Sequence, residues 1–403
     1  MKRDIDQIME RKKIDAFIIS GDPNKDPSLY YLLGVSKISA QVIKKRGEEP
    51  ILIHSSMERD EAAKTGMRMV DFAKYDYRKI LDEEKDPLRT EIRFLGLLFE
   101  EFGIKGKVAF YSLKRAGFSF HLLNEIVRKF DIEVVYEPWR NVLTEARETK
   151  GREEVDQIRS VGRRTCKVID DFVKLLRGLK RKDGYLIKED GSRFLLGDGR
   201  RFISERIYQE GLREVGQTIL SIGRDAGVPH NYGNDNDPIE EGKTIIFDIF
   251  PQETGGGYFF DCTRTFVIGQ ASPDVKNHYD QVKTAQEMLI KSFKPDVKTY
   301  EFEEKVCDYF EQNGHKTLRS DRQTKEGYVH GLGHGLGLQV HEAPSFGLAK
   351  AKPDVLKPGM VFTVEPGLYY PEKGFGIRIE DVVYMNDKGE IENLTDYPKI
   401  LEI

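Results

Sequence analysis

Short apolar runs and amphipathic stretches take turns over the first 140 or so residues, and this alternation limits the fold more than any other feature of the chain. Ala16-Phe17-Ile18-Ile19, Ile51-Leu52-Ile53, Val108-Ala109-Phe110-Tyr111 and Val134-Val135-Tyr136 have the length and composition of strands. Between them fall stretches with apolar residues at helical spacing, such as Leu88 to Phe102. The pattern predicts an α/β layer built on a partly parallel sheet. Neither G-x-G-x-x-G nor G-x-x-x-x-G-K-[ST] occurs there, so the usual nucleotide-phosphate cradle is missing and this part reads as structural rather than catalytic.

From Arg147 to Glu154 the chain turns almost wholly polar, and Val155, Ile158, Val161, Val168, Ile169, Phe172, Val173 and Leu176 then recur at helical spacing. A domain boundary near residue 150 is expected, giving domains 1–150 and 151–403. Ser272-Pro273 supplies an N-cap and a first-turn proline for a helix whose apolar stripe is Val275, Tyr279, Val282, Leu289 and Phe293. Another helix is expected over Tyr300 to Gln312. Thr244 to Phe250, Gly257 to Val267, Val361 to Tyr369 and Ile377 to Tyr384 read as strands, so the second part is α+β.

Composition excludes several classes of function. With 64 basic and 68 acidic residues the net charge is −4, so nothing draws the chain electrostatically to nucleic acid or anionic lipid. No apolar stretch has the length of a membrane span. The start, MKRDIDQIMERKK, has no following apolar segment, and a cytoplasmic location is expected. Cys166, Cys262 and Cys307 are far apart and read as buried free thiols.

Five residues stand out as possible metal ligands: Asp248, Asp261, His334, Glu365 and Glu380. Asp248 interrupts Ile246-Phe247-Asp248-Ile249-Phe250, where an unpaired carboxylate carries a heavy desolvation cost. Asp261 follows Phe259-Phe260 at the next strand, and a hairpin through Pro251 to Gly256 could bring both carboxylates to one mouth. His334 lies in a glycine-rich stretch, His330 to Glu342, that holds three of the eight histidines. Glu365 ends an apolar run, and Glu380 shares a strand face with Arg378 by alternation. Singly, each acid could be a structural ion-pair residue. Together, four carboxylates and one imidazole suit two divalent cations that share ligands and activate water.

These motifs, Val228-Pro229-His230, Asp248 with Asp261-Cys262-Thr263-Arg264-Thr265-Phe266, Gly333-His334-Gly335 to His341-Glu342, Glu365-Pro366-Gly367 and Gly376-Ile377-Arg378-Ile379-Glu380-Asp381, resemble the pita-bread metallopeptidases of the creatinase, aminopeptidase P and prolidase type over essentially the whole chain. The resemblance implies an α/β creatinase-like N-terminal domain followed by an α+β pita-bread catalytic domain. It implies a dinuclear exopeptidase acting on small peptides, with proline expected after the first residue, and two divalent ions drawn from Mn, Co, Zn or Fe. Asp248 would hold one ion, His334 and Glu365 the other, and Asp261 and Glu380 both; Glu365 would also be general base. His230, His330, His341 and Arg378 would surround the substrate, with His230 and His341 also catalytic, and a homodimer is expected. Two departures are visible: the interval from Asp248 to Asp261 is two residues longer than usual, and Arg181 to Arg200 reads as an added hairpin. Two alternatives stay open: a non-catalytic peptide- or protein-binding member of the fold, and a hydrolase of another small C–N substrate.

Overall fold

The computed structural model describes residues 4–35, 37–113 and 115–403, and the chain divides into two compact units, Met1–Arg147 and Glu148–Ile403. In the first unit one six-stranded sheet runs in the order Arg68–Asp71, Ile51–His54, Ala40–Lys45, Ala16–Gly21, Gly106–Tyr111, Ile132–Val134. Its outer pairings are parallel and the two around Ala40–Lys45 are antiparallel. The helix Pro87–Phe102 starts where Asp86 accepts the Arg89 N–H at 2.8 Å and stops at Gly103, whose φ of 61° suits glycine. Ile92, Leu95, Leu98 and Phe99 are buried on its inner face, each contributing roughly 1.5–3 kcal/mol.

Two strands of this sheet were not expected. Ala40–Lys45 carries Lys44 into the interior, where its ammonium donates to Asp6 Oδ1 at 2.6 Å and to the carbonyls of Lys45 and Glu48. That buried charge breaks the alternation by which strands are read. Arg68–Asp71 is an edge strand with little burial, so it has no apolar face to display.

In the second unit every stripe residue from Val155 to Leu176 is buried on one helix, Arg152–Gly178. Gly162 lies against the Phe260 ring, and a Cβ there would sit 2.4 Å from it. This close approach seats the segment that ends in Asp261. Gly162→Ala should therefore destabilise the protein by about 1–3 kcal/mol through overpacking, read as a lower melting temperature. The Ser272 cap donates order as expected, its hydroxyl accepting the Val275 N–H at 3.2 Å ahead of the helix Pro273–Ser292.

The strands of this unit are antiparallel. Ile219–Ile222, Thr244–Ile249 and Cys262–Val267 form one sheet, with Asp248 opposite Thr263. Val361–Val364 pairs with Asp381–Met385, and Gly367–Tyr370 with Phe375–Arg378. The two long strands expected at the C-terminal end are thus each broken, at Glu365-Pro366 and at Ile379-Glu380. Proline lacks the ladder N–H, which explains the first break.

The added hairpin is real but shorter than expected. Lys180–Lys182 pairs with Tyr185–Ile187 around Asp183-Gly184, both at positive φ as a two-residue turn demands. Arg193 and Leu195 make only isolated bridges, to Ile187 and Pro238, because the helix Leu196–Gln209 begins directly after them. In the lengthened loop Gly255, Gly256 and Gly257 all take positive φ, and Gln252 Nε2 donates back to the Gly257 carbonyl at 2.9 Å. Among the described residues no helix is long and apolar enough to cross a membrane, and the three cysteines are buried and free.

Candidate metal centre

Antiparallel register puts Thr263 opposite Asp248 on one sheet face. Asp261, one residue before that strand, brings its carboxyl close to that of Glu380 and to the His334 imidazole. Glu380 reaches this face from the break after Phe375–Arg378, where its carboxylate accepts the Thr263 hydroxyl at 2.7 Å. Buried Arg264 fixes the break from behind, donating to the Glu380 carbonyl at 2.6 Å and to Asp381 at 2.8 Å.

His334 arrives on the glycine-rich loop. Gly333 must be glycine because a Cβ would lie 2.2 Å from the Thr363 carbonyl, and the next N–H, of His334, donates to the Thr363 hydroxyl at 3.0 Å. His334 Nδ1 faces the Gly335 carbonyl at 3.1 Å and so carries the proton, which leaves the Nε2 lone pair turned inward. That lone pair sits 3.3 Å from Glu365 Oε1 and 3.8 Å from Asp261 Oδ2. Burial holds the ring down to about 4, with His341 adding to the shift, so at neutral pH an unprotonated nitrogen faces carboxylate oxygens.

Asp261, His334 and Glu380 each offer one ligand atom, and these atoms lie within 4.8 Å of one another. Burial pushes the carboxyls of Asp261 and Glu380 well above the ordinary range; Glu380 adds to the push on Asp261, and Glu365 to that on Glu380. Glu365 is raised by burial too, with Arg378 opposing and Asp261 and Asp248 adding. Asp261 Oδ1 is buried without a hydrogen-bond partner. Several buried carboxyls crowded against one imidazole nitrogen, with an orphaned oxygen among them, fit a divalent cation: the donor set is the oxygen-plus-imidazole kind that such ions take.

Asp248 is held differently. Its Oδ2 accepts Arg378 Nη2 at 2.6 Å, and the same buried guanidinium donates to Tyr369 (2.6 Å), Thr263 (3.2 Å) and the Pro229 carbonyl (3.3 Å). Arg378 thus anchors the carbonyl next to His230. Of the three further histidines, His330 is pushed down to about 3 by burial and then by Arg378; its Nδ1 faces the Gly331 carbonyl at 2.8 Å and its Nε2 the Tyr369 hydroxyl at 2.9 Å. His341 stacks edge-on to His334, with ring centroids 4.3 Å apart. It is lowered by partial desolvation and by His230, which is itself exposed and also acts on His330.

Tyr369, Thr263 and Thr363 were not singled out in the sequence. Thr263 and Thr363 each precede or follow a candidate acid by two residues, and that same-face spacing was the available signal. Tyr369 had none, since a tyrosine in an apolar strand reads as core.

Residues 156–387 match the model of metallopeptidase family M24, and residues 3–112 that of the creatinase/prolidase N-terminal domain. The Xaa-Pro dipeptidase of Pyrococcus furiosus is 25% identical over 394 residues, 95% of this chain and 94% of that one. "Probable dipeptidase PepE" of Mycobacterium tuberculosis is 34% identical over 189 residues, so the match spans about half the length of that relative, 47% of each chain. Among solved structures, the prolidase of Pyrococcus horikoshii OT3 superposes with a TM-score of 0.72 at 24% identity over 99% of both chains. The X-Pro aminopeptidase of Thermotoga maritima MSB8 does so with 0.76 at 22% identity, over 98% of this chain and 100% of that one. The fold is the one these proteins share, a creatinase-type N-terminal domain and a pita-bread catalytic domain.

Proposed function

The chain belongs to metallopeptidase family M24, and from that premise we propose that it is a metal-dependent exopeptidase of small peptides that prefers the bond before proline. The observation that carries this reading is the inward Nε2 of His334 among the carboxylates of Asp261, Glu365 and Glu380, with Asp261 Oδ1 unpartnered. Asp248, Asp261, His334, Glu365 and Glu380 would hold the divalent ions, with Asp261, His334 and Glu380 nearest one another. When bound, the ions supply Lewis acidity and a water acidic enough to act near neutral pH. The carboxylate-rich set favours Mn, Fe or Co over softer choices, with Zn also accommodated.

The chain's own residues do the rest. Glu365 takes the proton of the attacking water and returns it to the departing nitrogen, so that one C–N bond is exchanged for one C–O bond. His341 and His230 donate to the carbonyl oxygen as charge builds there. His330, neutral at pH 7, presents an uncharged ring against the substrate and is kept in place by the Tyr369 hydroxyl. Proline after the first residue removes the N–H that other peptidases bind and fixes φ, which a rigid ring of histidines can exploit.

Under metal saturation, kcat/KM for Ala-Pro and Ala-Pro-Ala should exceed that for Ala-Ala and Ala-Ala-Ala by roughly tenfold or more, the scale of 1.4 kcal/mol of differential binding. Equal values would remove the proline preference and leave the metallopeptidase reading in place. The ratio of di- to tripeptide turnover decides between dipeptidase and aminopeptidase.

The creatinase-like domain is the first compact unit, which ends at Arg147, three residues before the boundary expected at 150, so Lys150 belongs with the catalytic unit. A homodimer is the assembly that the resemblance to the creatinase and prolidase type implies. Light scattering at micromolar concentration should give twice the monomer mass. The buried free thiols suit the reducing cytoplasm.

A further inference from the structure

Lys150 and Glu342 form an ion pair at 3.0 Å whose side chains are 1% and 4% exposed. Burying two charges is costly, and a hydrophobic pair of the same size is often as stable or more so, so folding alone does not account for it. The remaining contacts show what the pair holds. Glu342 Oε1 accepts the N–H groups of Leu338 (3.0 Å) and Gln339 (3.1 Å), which closes the turn from Gly337 to Glu342 on itself. Gly337 is packed so closely that a Cβ would lie 2.6 Å from Glu342 Oε2 and 2.9 Å from Lys150 Cε. Its carbonyl accepts the Phe259 N–H at 2.8 Å, two residues before Asp261. Lys150 is fixed in turn, its N–H donating to the Gly359 carbonyl at 2.7 Å.

The residue that leaves this closed turn is His341, placed edge-on to His334. Backbone closure by a carboxylate is short and directional, whereas an open turn of six residues with glycine at its start would let the imidazole wander. We propose that the buried Lys150–Glu342 pair is a positioning device for His341, setting the distance of its ring from the scissile carbonyl. The inference rests on the peptidase reading. Glu342 acts through the Leu338 and Gln339 amides, and Lys150 keeps Glu342 aimed at them.

The test is a cycle of variants in the metal-saturated full chain, assayed on Ala-Pro. Lys150→Met/Glu342→Ala removes the acceptor without stranding a charge, and Lys150→Met/Glu342→Gln keeps an acceptor in a neutral pair. The alanine variant should lose roughly 100-fold in kcat/KM, the scale of a misplacement of about 1 Å, and the glutamine variant should recover most of that loss. On a His341→Ala background the alanine variant should cost no more than about threefold, because coupled residues are non-additive. Hydrogen exchange should show the Leu338 and Gln339 amides losing protection in the alanine variant alone. Full additivity with His341→Ala, equal activity of the two variants, or a tenfold loss of metal affinity by calorimetry would each overturn the proposal, the last by placing the effect on His334. An alanine variant that fails to fold would also overturn it, making the pair a support of the fold. If the wild-type protein hydrolyses no dipeptide, the peptidase reading fails separately, and exchange at Leu338 and Gln339 still decides whether the carboxylate closes the turn.

Discussion

Asp261→Asn and Glu380→Gln should each lower kcat/KM on Ala-Pro by more than roughly 100-fold, beyond the upper end of what loss of an outer partner of a metal site costs. Both residues face His334 and the other carboxylates, and each is expected to serve two ions, so either change weakens both sites. Calorimetric titration with Mn(II) or Co(II) should show the tight sites lost, and chelation of the wild type should abolish turnover that added metal restores. Full activity of the metal-free protein would sink the two-metal reading.

A pH dependence goes with this. The carboxyls of Asp261, Glu365 and Glu380 are raised in the folded chain, burial being the first cause of each. A raised carboxyl contributes stability that is present below its unfolded value and is lost as pH rises through the folded one. The metal-free protein should therefore lose stability at this site from about pH 4 upward, the ordinary carboxyl range. Divalent metal binds the ionised forms, so the gain in melting temperature on adding metal should widen as pH rises from 5 to 8. A gain that is constant across that range would mean that these acids are not the ligands.

Much of this centre was legible because the alternation of a strand makes an acid conspicuous. Asp248 between Phe247 and Ile249 stands out in an apolar run, whereas the parity expected of Arg378 and Glu380 does not apply, because the strand ends at Arg378. What the pattern could not carry was how the ladders stop. Glu365 and Glu380 sit where the two C-terminal strands break, and a continuous apolar run gives no sign that its hydrogen bonds change partners there. Lys44 shows the converse failure, since a lysine in a strand reads as solvent-facing unless its acceptors, here Asp6 and two carbonyls, are known. Tyr369 combines both difficulties: its ring is core, while its hydroxyl accepts from Arg378 and faces His330, a polar role that only the tertiary structure reveals.

Arg378→Met should lower the melting temperature of the metal-free protein by about 10 °C, from roughly 3–5 kcal/mol for stranding a buried charge partner. The guanidinium is 3% exposed on its side chain, and its Nη2 lies 2.6 Å from Asp248. It is also the cation that pulls against the raised carboxyls of Asp261, Glu365 and Glu380. Without it, Asp248 is left among three other acids in a site that water cannot neutralise. Divalent metal supplies positive charge to the same group, so the loss should shrink to well under half when the variant is saturated with Mn(II). Turnover should not recover with it. The Tyr369 hydroxyl and the Pro229 carbonyl both lose their Nη1 donor, at 2.6 and 3.3 Å, and with them the placement of His330 and His230. Saturated Arg378→Met should thus bind metal with near wild-type stoichiometry yet fall by roughly 100-fold in kcat/KM, the cost of misplaced substrate-positioning groups. Arg378→Lys should sit close to the methionine variant in rate, because an ammonium cannot reach Asp248, Tyr369 and Thr263 at once as the planar fork does. A lysine variant with wild-type kcat/KM would show that charge alone, and not the fork, is what the site takes from this residue.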